Sequence, residues 1–344
     1  MLFSLPIESL EERYSAQWNV GFPQEFDRLG VHYETIYPTL LRAGANRISR
    51  GQFLDVVRTN EFKALQLAML MSKFDRGEIK VNDVIFVHDL WYPGLEMLFY
   101  VRDGLGLKFK IAGLLHAGTY DPYDFLTQQG MTRWAGGIET SWWSEVDAIF
   151  VATEFHKRLL LSNRTVPHIG KVHVTGFPLF DEPDTTEMMK EDIVIFPHRL
   201  APEKGLDGFG TIKKLCQDRL PGWQFLRTKD VCQTKAEYYN LLCRSKVAVS
   251  CAKQETWGIA QQEALFRGCI PVVPDRLSYV EMYSDAFRYH SLIDAAAMVT
   301  DFGRDWQRIV TGTEFTQPAA QCNYRQANAI SKMVTIMREK DWSI

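Results

Sequence analysis

What this chain lacks narrows its class at once. No apolar run approaches the roughly 20 residues that a membrane-crossing helix needs; the longest apolar stretches are strand-sized. The N-terminus, MLFSLPIESLEERY, is too short in apolar residues and too acidic for a secretory leader. The expectation is a soluble, cytoplasmic protein. All six cysteines lie between Cys216 and Cys322, and no two have CxxC spacing. That argues against a zinc ribbon and against a disulfide framework, and it reads the thiols as reduced and mostly buried. A formal net charge of -3 gives no global attraction to nucleic acid or anionic lipid, although a local basic patch is compatible with it. No Asp, His or Cys cluster has metal-ligand spacing, so no metal is expected. Repeats and low-complexity segments are missing as well.

What is present is a globular chain of 344 residues, 46% hydrophobic and 12% aromatic, a length that suggests about two domains. Strand-like apolar runs alternate with helical ones. In the first half the strands read as Leu2–Pro6, Val31–Tyr37, Asp83–Val87, Phe109–Leu115, Ala148–Val151 and Val172–Val174. Helices read as Ser15–Leu29, Glu61–Phe74, Met97–Leu105, Trp134–Val146 and Thr153–Leu161, the last with Thr153 as N-cap. The polar run 181–191 reads as a linker. A second series follows, with strands Ile193–Phe196, Trp223–Leu226, Val247–Val249 and Ile270–Val273. Its helices are Leu206–Asp218, Lys235–Cys243 and Ile259–Phe266. The expected organisation is α/β: an N-terminal Rossmann-like domain over 1–180, a C-terminal one over 192–320, and a closing segment 321–344. The helix of that closing segment, Tyr324–Arg338, is a candidate for crossing back to the first domain. Strands alternating with helices build parallel, doubly wound sheets, which bind ligands at the carboxyl ends of their strands.

Two stretches of the second half carry chemistry. In PHRLAPEKG, Arg199 and Lys204 straddle a Pro-containing loop before a helix, an arrangement suited to a diphosphate because Arg grips two oxygens and Lys adds a point charge. In QETWGIAQQEALFRGCIPVVP, Glu255 lies in the loop before a helix and Glu263 lies eight residues further on. The backbone N–H groups of Thr256, Trp257, Gly258 and Ile259 open that helix, where an anion is favoured. A Glu before a helix is also a plain cap. In the first half, His88 and Asp89 end one strand and His116 ends the next, with Asp121 in the loop beyond. Each has a bland reading, as a satisfied core histidine or a turn aspartate. Arg42, Arg47 and Arg50 stand in a segment without acidic residues, either a solvated loop or a phosphate-contacting surface.

The two C-terminal stretches resemble the donor-binding half of retaining GT-B glycosyltransferases, over roughly Ile193 to Asp275. The resemblance implies two Rossmann-like domains facing a central cleft, with a nucleotide-diphosphate sugar (UDP- or GDP-sugar) as donor and no metal. By it, Arg199 and Lys204 hold the diphosphate, Glu255 the transferred sugar, Glu263 the ribose, and Thr256 to Ile259 approach the phosphate or sugar. His116, Arg199, Lys204 and Glu255 form the implied catalytic set. Within this group the chain is most similar to tRNA-queuosine mannosyltransferases, through the PHR loop, the block before Gly268-Cys269, and Glu154-Phe155-His156-Lys157-Arg158. Where those proteins have His-Glu-Asn-Gln, this chain has His116-Ala117-Gly118-Thr119-Tyr120-Asp121. Phage DNA glycosyltransferases are a looser likeness. The acceptor implied is a hydroxylated base of DNA or tRNA, with His88, Asp89, Asp121, Arg42, Arg47 and Arg50 on its side. Alternatives left open are a lipid or polysaccharide acceptor, a GT-B sugar-nucleotide epimerase and a non-catalytic sugar-nucleotide sensor.

Overall fold

The computed structural model describes residues 1–9, 14–39, 55–180, 189–313, 315 and 328–344. The chain divides into two compact units, Met1–Phe180 with Ala327–Ile344, and Asp181–Gln326. Most of the expected linker, residues 181–188, lies outside the described residues, as do Arg42, Arg47 and Arg50.

Unit 1 contains strands β1 (Leu2–Leu5), β2 (Tyr33–Thr35), β3 (Val84–Val87), β4 (Lys110–Leu114), β5 (Ala148–Val151) and β6 (Val172–Val174). Its helices are α1 (Tyr14–Arg28), α2 (Val56–Asp75), α3 (Leu95–Leu105), α4 (Phe125–Gln128), α5 (Thr132–Glu145) and α6 (Glu154–Asn163). The described strands pair in parallel in the order β2-β1-β3-β4-β5-β6. β1, β3 and β5 are buried along their whole length, which is why they read as unbroken apolar runs rather than alternating ones. Helix α2 begins at Val56, five residues before the periodicity suggests. Asp55 supplies the reason, accepting the Arg58 N–H at 3.1 Å as an N-cap. Thr153 caps α6 in the same way, through the His156 N–H at 3.1 Å.

Unit 2 contains β7 (Glu191–Phe196), β8 (Gln224–Arg227), β9 (Ser245–Val249), β10 (Ile270–Pro274) and β11 (Arg288–Tyr289). Its helices are α7 (Leu206–Cys216), α8 (Thr228–Val231), α9 (Lys235–Arg244), α10 (Ile259–Phe266), α11 (Tyr279–Met282), α12 (Leu292–Arg304) and α13 (Trp306–Val310). The parallel order is β11-β10-β9-β7-β8. Apolar side chains cover both faces of this sheet. Phe209 and Ile212 of α7 pack with Ala295 and Val299 of α12 on one core. Leu241 and Leu242 of α9 pack with Ala264 of α10 on the other. That is a doubly wound sheet.

The last helix, α14 (Ala329–Glu339), belongs to unit 1. Arg338 donates to the carbonyl of Leu29 at 2.9 Å, and the Ser343 N–H donates to Asn82 at 2.9 Å. Among the described residues no helix is long and apolar enough to cross a membrane. The described cysteines, Cys216, Cys232, Cys243, Cys251 and Cys269, are free thiols.

Candidate functional site

Both sheets share a topological property that selects where chemistry can sit. In each, the first strand is flanked by the second on one side and the third on the other, so the winding reverses beside it. Such a switch point leaves a crevice at the carboxyl ends of the two strands it separates. In unit 2 it falls between β7 and β9, and in unit 1 between β1 and β3.

At the unit 2 switch point the loop after β7 carries His198, Arg199 and Lys204, and the loop after β9 carries Ser250 to Gly258. A Pro202–Lys204 turn of 3-10 helix ends at Gly205, whose φ of 73° is in the left-handed region. A Cβ there would lie 2.2 Å from the Cys251 carbonyl oxygen, so glycine lets the two loops touch. Lys204 is buried; its ammonium donates to the Gln254 carbonyl at 2.8 Å and lies 3.2 Å from Glu255 Oε2. Glu255 Oε1 accepts the N–H groups of Thr256 at 3.1 Å, Trp257 at 3.4 Å and Gly258 at 2.9 Å. Burial alone would raise the Glu255 pKa, but Lys204 and the Gly258 N–H outweigh it and hold the carboxyl at about 2. Thr256, Trp257 and Gly258, expected to face a phosphate or sugar, therefore also cradle the carboxylate of Glu255, in the manner of a cap. Ile259 follows as the first residue of α10. Arg199 is half-buried, and its guanidinium pairs with Glu203 one turn on.

Beneath these loops, His198 Nε2 lies 2.9 Å from Ser250 Oγ, which lies 2.8 Å from the Tyr279 hydroxyl. Burial, with Lys204 next, pushes the His198 pKa down to about 3, so the ring is neutral. This chain ties the two loops together, and the sequence reading missed it.

Glu263, on α10, is 3% exposed. Its Oε1 accepts from Lys235 Nζ at 2.6 Å and the Tyr239 hydroxyl at 3.1 Å, and its Oε2 from the Tyr238 hydroxyl at 2.7 Å. Lys235, Tyr238 and Tyr239 were also missed. Their i, i+3, i+4 spacing on one face of α9 was the available signal.

In unit 1 the strand ends carry the expected residues in unequal roles. His88 is buried, with Nε2 2.8 Å from Ser4 Oγ and the ring centroid of Phe22 4.2 Å away. Burial, then the charge of His116, lowers its pKa to about 3. What His88 offers at the strand edge is its carbonyl, rather than the imidazole the sequence points to. That carbonyl accepts from His116 Nε2 at 2.7 Å, which puts the proton of His116 on Nε2. The His116 ring is half-buried beside Trp18 and Phe177. Asp89 accepts the Trp91 N–H at 3.2 Å and lies 3.8 Å from Lys63. Asp121 is buried and accepts the Tyr123 N–H at 2.9 Å, the geometry of a turn residue. The loop that holds His116 and Asp121 is fastened from behind by Glu139. That fully buried carboxylate accepts from Trp91 Nε1 at 2.9 Å, the Thr119 hydroxyl at 2.9 Å and Arg164 Nε at 2.9 Å. At the switch point itself Glu8, 7% exposed, takes the Thr59 hydroxyl on one oxygen, while its other oxygen is buried with no hydrogen-bond partner among the described residues. No sequence pattern marks Glu8 or Glu139.

Among the described residues no group of three or more His, Cys, Asp or Glu is arranged to hold a metal ion.

Two parallel, doubly wound sheets in tandem define the GT-B fold class, and similarity to solved structures bears this out. The chain superposes on sucrose-phosphate synthase from Thermosynechococcus elongatus with a TM-score of 0.69 over 98% of both chains, at 12% identity. Against the pneumococcal O-GlcNAc transferase GtfA, solved with UDP and GlcNAc, the TM-score is 0.55 at 14% identity, covering 80% of this chain and 60% of that one. In sequence, the chain is 35% identical over 57 residues to the tRNA-queuosine alpha-mannosyltransferase of Drosophila melanogaster. That match covers 17% of this chain and 15% of the fly protein. No family model matches the chain.

Proposed function

We propose that this chain is a retaining, metal-independent glycosyltransferase that moves a sugar from a nucleotide-diphosphate donor to an acceptor hydroxyl. The observation that carries the reading is the meeting of Lys204 with Glu255 at the unit 2 switch point, with Arg199 on the same loop. In this reading Arg199 and Lys204 neutralise the diphosphate, and Glu255 binds hydroxyls of the transferred sugar. The N–H groups of Thr256, Trp257 and Gly258 orient that carboxylate toward the sugar, Ile259 opens the helix beside the phosphate, and Glu263 binds the ribose. The bond from the anomeric carbon to the diphosphate oxygen breaks as the acceptor oxygen bonds to that carbon on the same face. The acceptor's proton goes to the leaving phosphate. Positive charge already in place at the leaving group lowers this barrier without reorganisation. The UDP bound in GtfA supports a uridine nucleotide as the first donor to try.

His116 and Asp89 are the acceptor-side residues of this reading, with Asp121 and the backbone of His88 shaping their loops. The acceptor proposed is a hydroxylated base of DNA or tRNA, reached by extruding the base, with Arg42, Arg47 and Arg50 on the phosphate backbone. The short match to the fly mannosyltransferase supports the tRNA form. The five described cysteines, all free thiols, support a reducing, cytoplasmic setting.

The test is a thermal-shift panel of UDP- and GDP-sugars, followed by donor hydrolysis in the absence of acceptor. A stabilising donor that is slowly hydrolysed is the expected result, with turnover lost by orders of magnitude in Arg199→Ala and Lys204→Ala. Wild-type turnover in both variants rejects the donor site. For the acceptor, nucleic-acid binding should weaken steeply with salt, and removing the three arginines should flatten that slope.

A further inference from the structure

Trp134 is the third residue of α5, and 46% of it is exposed. The same helix buries its other two tryptophans, Trp142 and Trp143, almost completely. Trp134 instead stands in water beside a further indole, Trp91, with ring centroids 6.2 Å apart and an interplanar angle of 63°. We propose that Trp134, braced by Trp91, is a stacking platform for an unpaired base of the acceptor, and that Arg133 meets the phosphate beside that base. This deepens the acceptor reading above and rests on it.

Trp91 is fixed before any ligand arrives. Its N–H donates to Asp89 at 3.2 Å, its carbonyl accepts from Lys63 Nζ at 2.7 Å, and its Nε1 donates to the buried Glu139 at 2.9 Å. The edge-to-face contact passes that rigidity to Trp134, and a ring held in place loses little freedom on binding. The place also fits. Trp91 lies in the loop after β3 with Asp89, at the carboxyl edge of the sheet, and its contact with Trp134 brings the start of α5 to that edge. Around Trp134 the helix gives up stability that packing does not require. Gly137, one turn on, is exposed and helical, and an added Cβ would meet nothing within 4 Å. Glycine in mid-helix is less stable than alanine. Helical side chains lean toward the N-terminus, so any side chain at 137 would lean over Trp134, and glycine leaves that flank bare. The charge beside the ring selects the occupant. Arg133 is exposed and pairs with no carboxylate among the described residues. An aromatic face for the base and a cation for its phosphate are the two parts of single-strand recognition.

The experiment is fluorescence anisotropy of labelled single strands of DNA and RNA, about 12 nucleotides long, titrated with the full chain and its variants at several salt concentrations. Wild type should bind the DNA or the RNA strand. Trp134→Ala should bind about tenfold more weakly with its salt slope unchanged, because stacking releases no counterions, and Trp134→Phe should recover most of the loss. Arg133→Gln should lower the slope by about one. Gly137→Leu separates binding from folding. Leucine is the better helix former, so this variant should melt at a higher temperature while it covers the platform and binds about tenfold more weakly. Affinity within about twofold of wild type in Trp134→Ala or Gly137→Leu overturns the platform and leaves nucleic-acid binding in place. So does a loss in Trp134→Ala that comes with a flattened salt slope, which would make the contact electrostatic. An unchanged slope in Arg133→Gln overturns the phosphate contact. Binding of maltohexaose that Trp134→Ala abolishes, with strand binding untouched, would assign the ring to a glycan and overturn the inference. If wild type binds neither strand, the nucleic-acid acceptor reading itself falls, and this inference with it.

Discussion

Lys204 and Glu255 stand 51 positions apart in sequence and 3.2 Å apart in space, each with under a sixth of its side chain exposed. Their meeting follows from topology. Strands β7 and β9 are neighbours although β8 lies between them in sequence, so the loops that leave their carboxyl ends converge. An ion pair this sheltered from water is strong only while both members are present. Removing one leaves a charge whose desolvation nothing offsets.

Lys204→Ala should therefore destabilise unit 2 by about 3 kcal/mol, besides its effect on turnover. Lys204→Met combined with Glu255→Gln should cost less than the sum of the two single changes, because it removes both charges together. Urea denaturation of the four proteins measures this. Additive losses would show that the pair is not coupled.

Acid should loosen the fold already between about pH 6.5 and 5, through the buried histidines. Burial first, then neighbouring positive charge, lowers His88, His156 and His198 from 6.5 to about 3. His173 shifts in the same direction. The sign follows from linkage. Below pH 6.5 the unfolded chain binds protons that the folded chain refuses until about pH 3, so stability is present above 6.5 and falls through that window. Each fully buried histidine contributes about 1.4 kcal/mol per pH unit at the limit. Denaturation midpoints at pH 7, 6 and 5 should drop progressively, two of the three histidines acting in unit 1. A flat profile between pH 6.5 and 5 contradicts the buried neutral rings.

Glycine identity should matter at Gly205 and much less at Gly30, although both have positive φ. An alanine at either pays the left-handed cost of about 1–2 kcal/mol. Around Gly30 an added Cβ meets nothing within 4 Å, whereas at Gly205 it meets the Cys251 carbonyl oxygen at 2.2 Å. Gly205→Ala should thus cost well beyond Gly30→Ala, and it should also lower donor affinity by separating the loops of Lys204 and Glu255. Equal thermal stability of the two variants would mean that the loops do not need this contact.

The parallel α/β architecture was legible because the inner strands β1, β3, β5 and β10 are buried along their whole length and so are largely apolar. The strand-to-helix order around Arg199, Lys204, Glu255 and Glu263 was legible because a short loop between strand and helix must carry its polar residues in sequence order. Contacts set by tertiary structure were not. Nothing near Glu139 announces that it pairs with Arg164, 25 positions on, and Asp55 as a cap was hidden by the β-branched Val56 and Val57 that open α2. His88 shows the same limit from the other side. A polar residue at a strand end looks alike from sequence whether its ring turns outward or, as here, into Phe22 and Phe86. Lys235, Tyr238 and Tyr239 lie between, since their shared helix face was legible while their common partner was not.

Glu139 gives the sharpest test of how the unit 1 loop is held. Its carboxylate is fully buried and has donors from three separate places, Trp91 after β3, Thr119 after β4, and Arg164 after α6. Arg164 also donates to the Thr119 hydroxyl at 2.6 Å, so the arginine, the threonine and the carboxylate form a closed ring of bonds. Glu139→Ala strands a mostly buried guanidinium and frees the Thr119 loop, and it should cost about 3–5 kcal/mol. Arg164→Ala should cost a comparable amount by leaving the carboxylate without its cation. The double variant should fall well short of their sum, since each single change already breaks the same ring. A Glu139→Ala loss below about 1 kcal/mol, the range of an exposed pair, would show that the loop carrying His116 is held by something else.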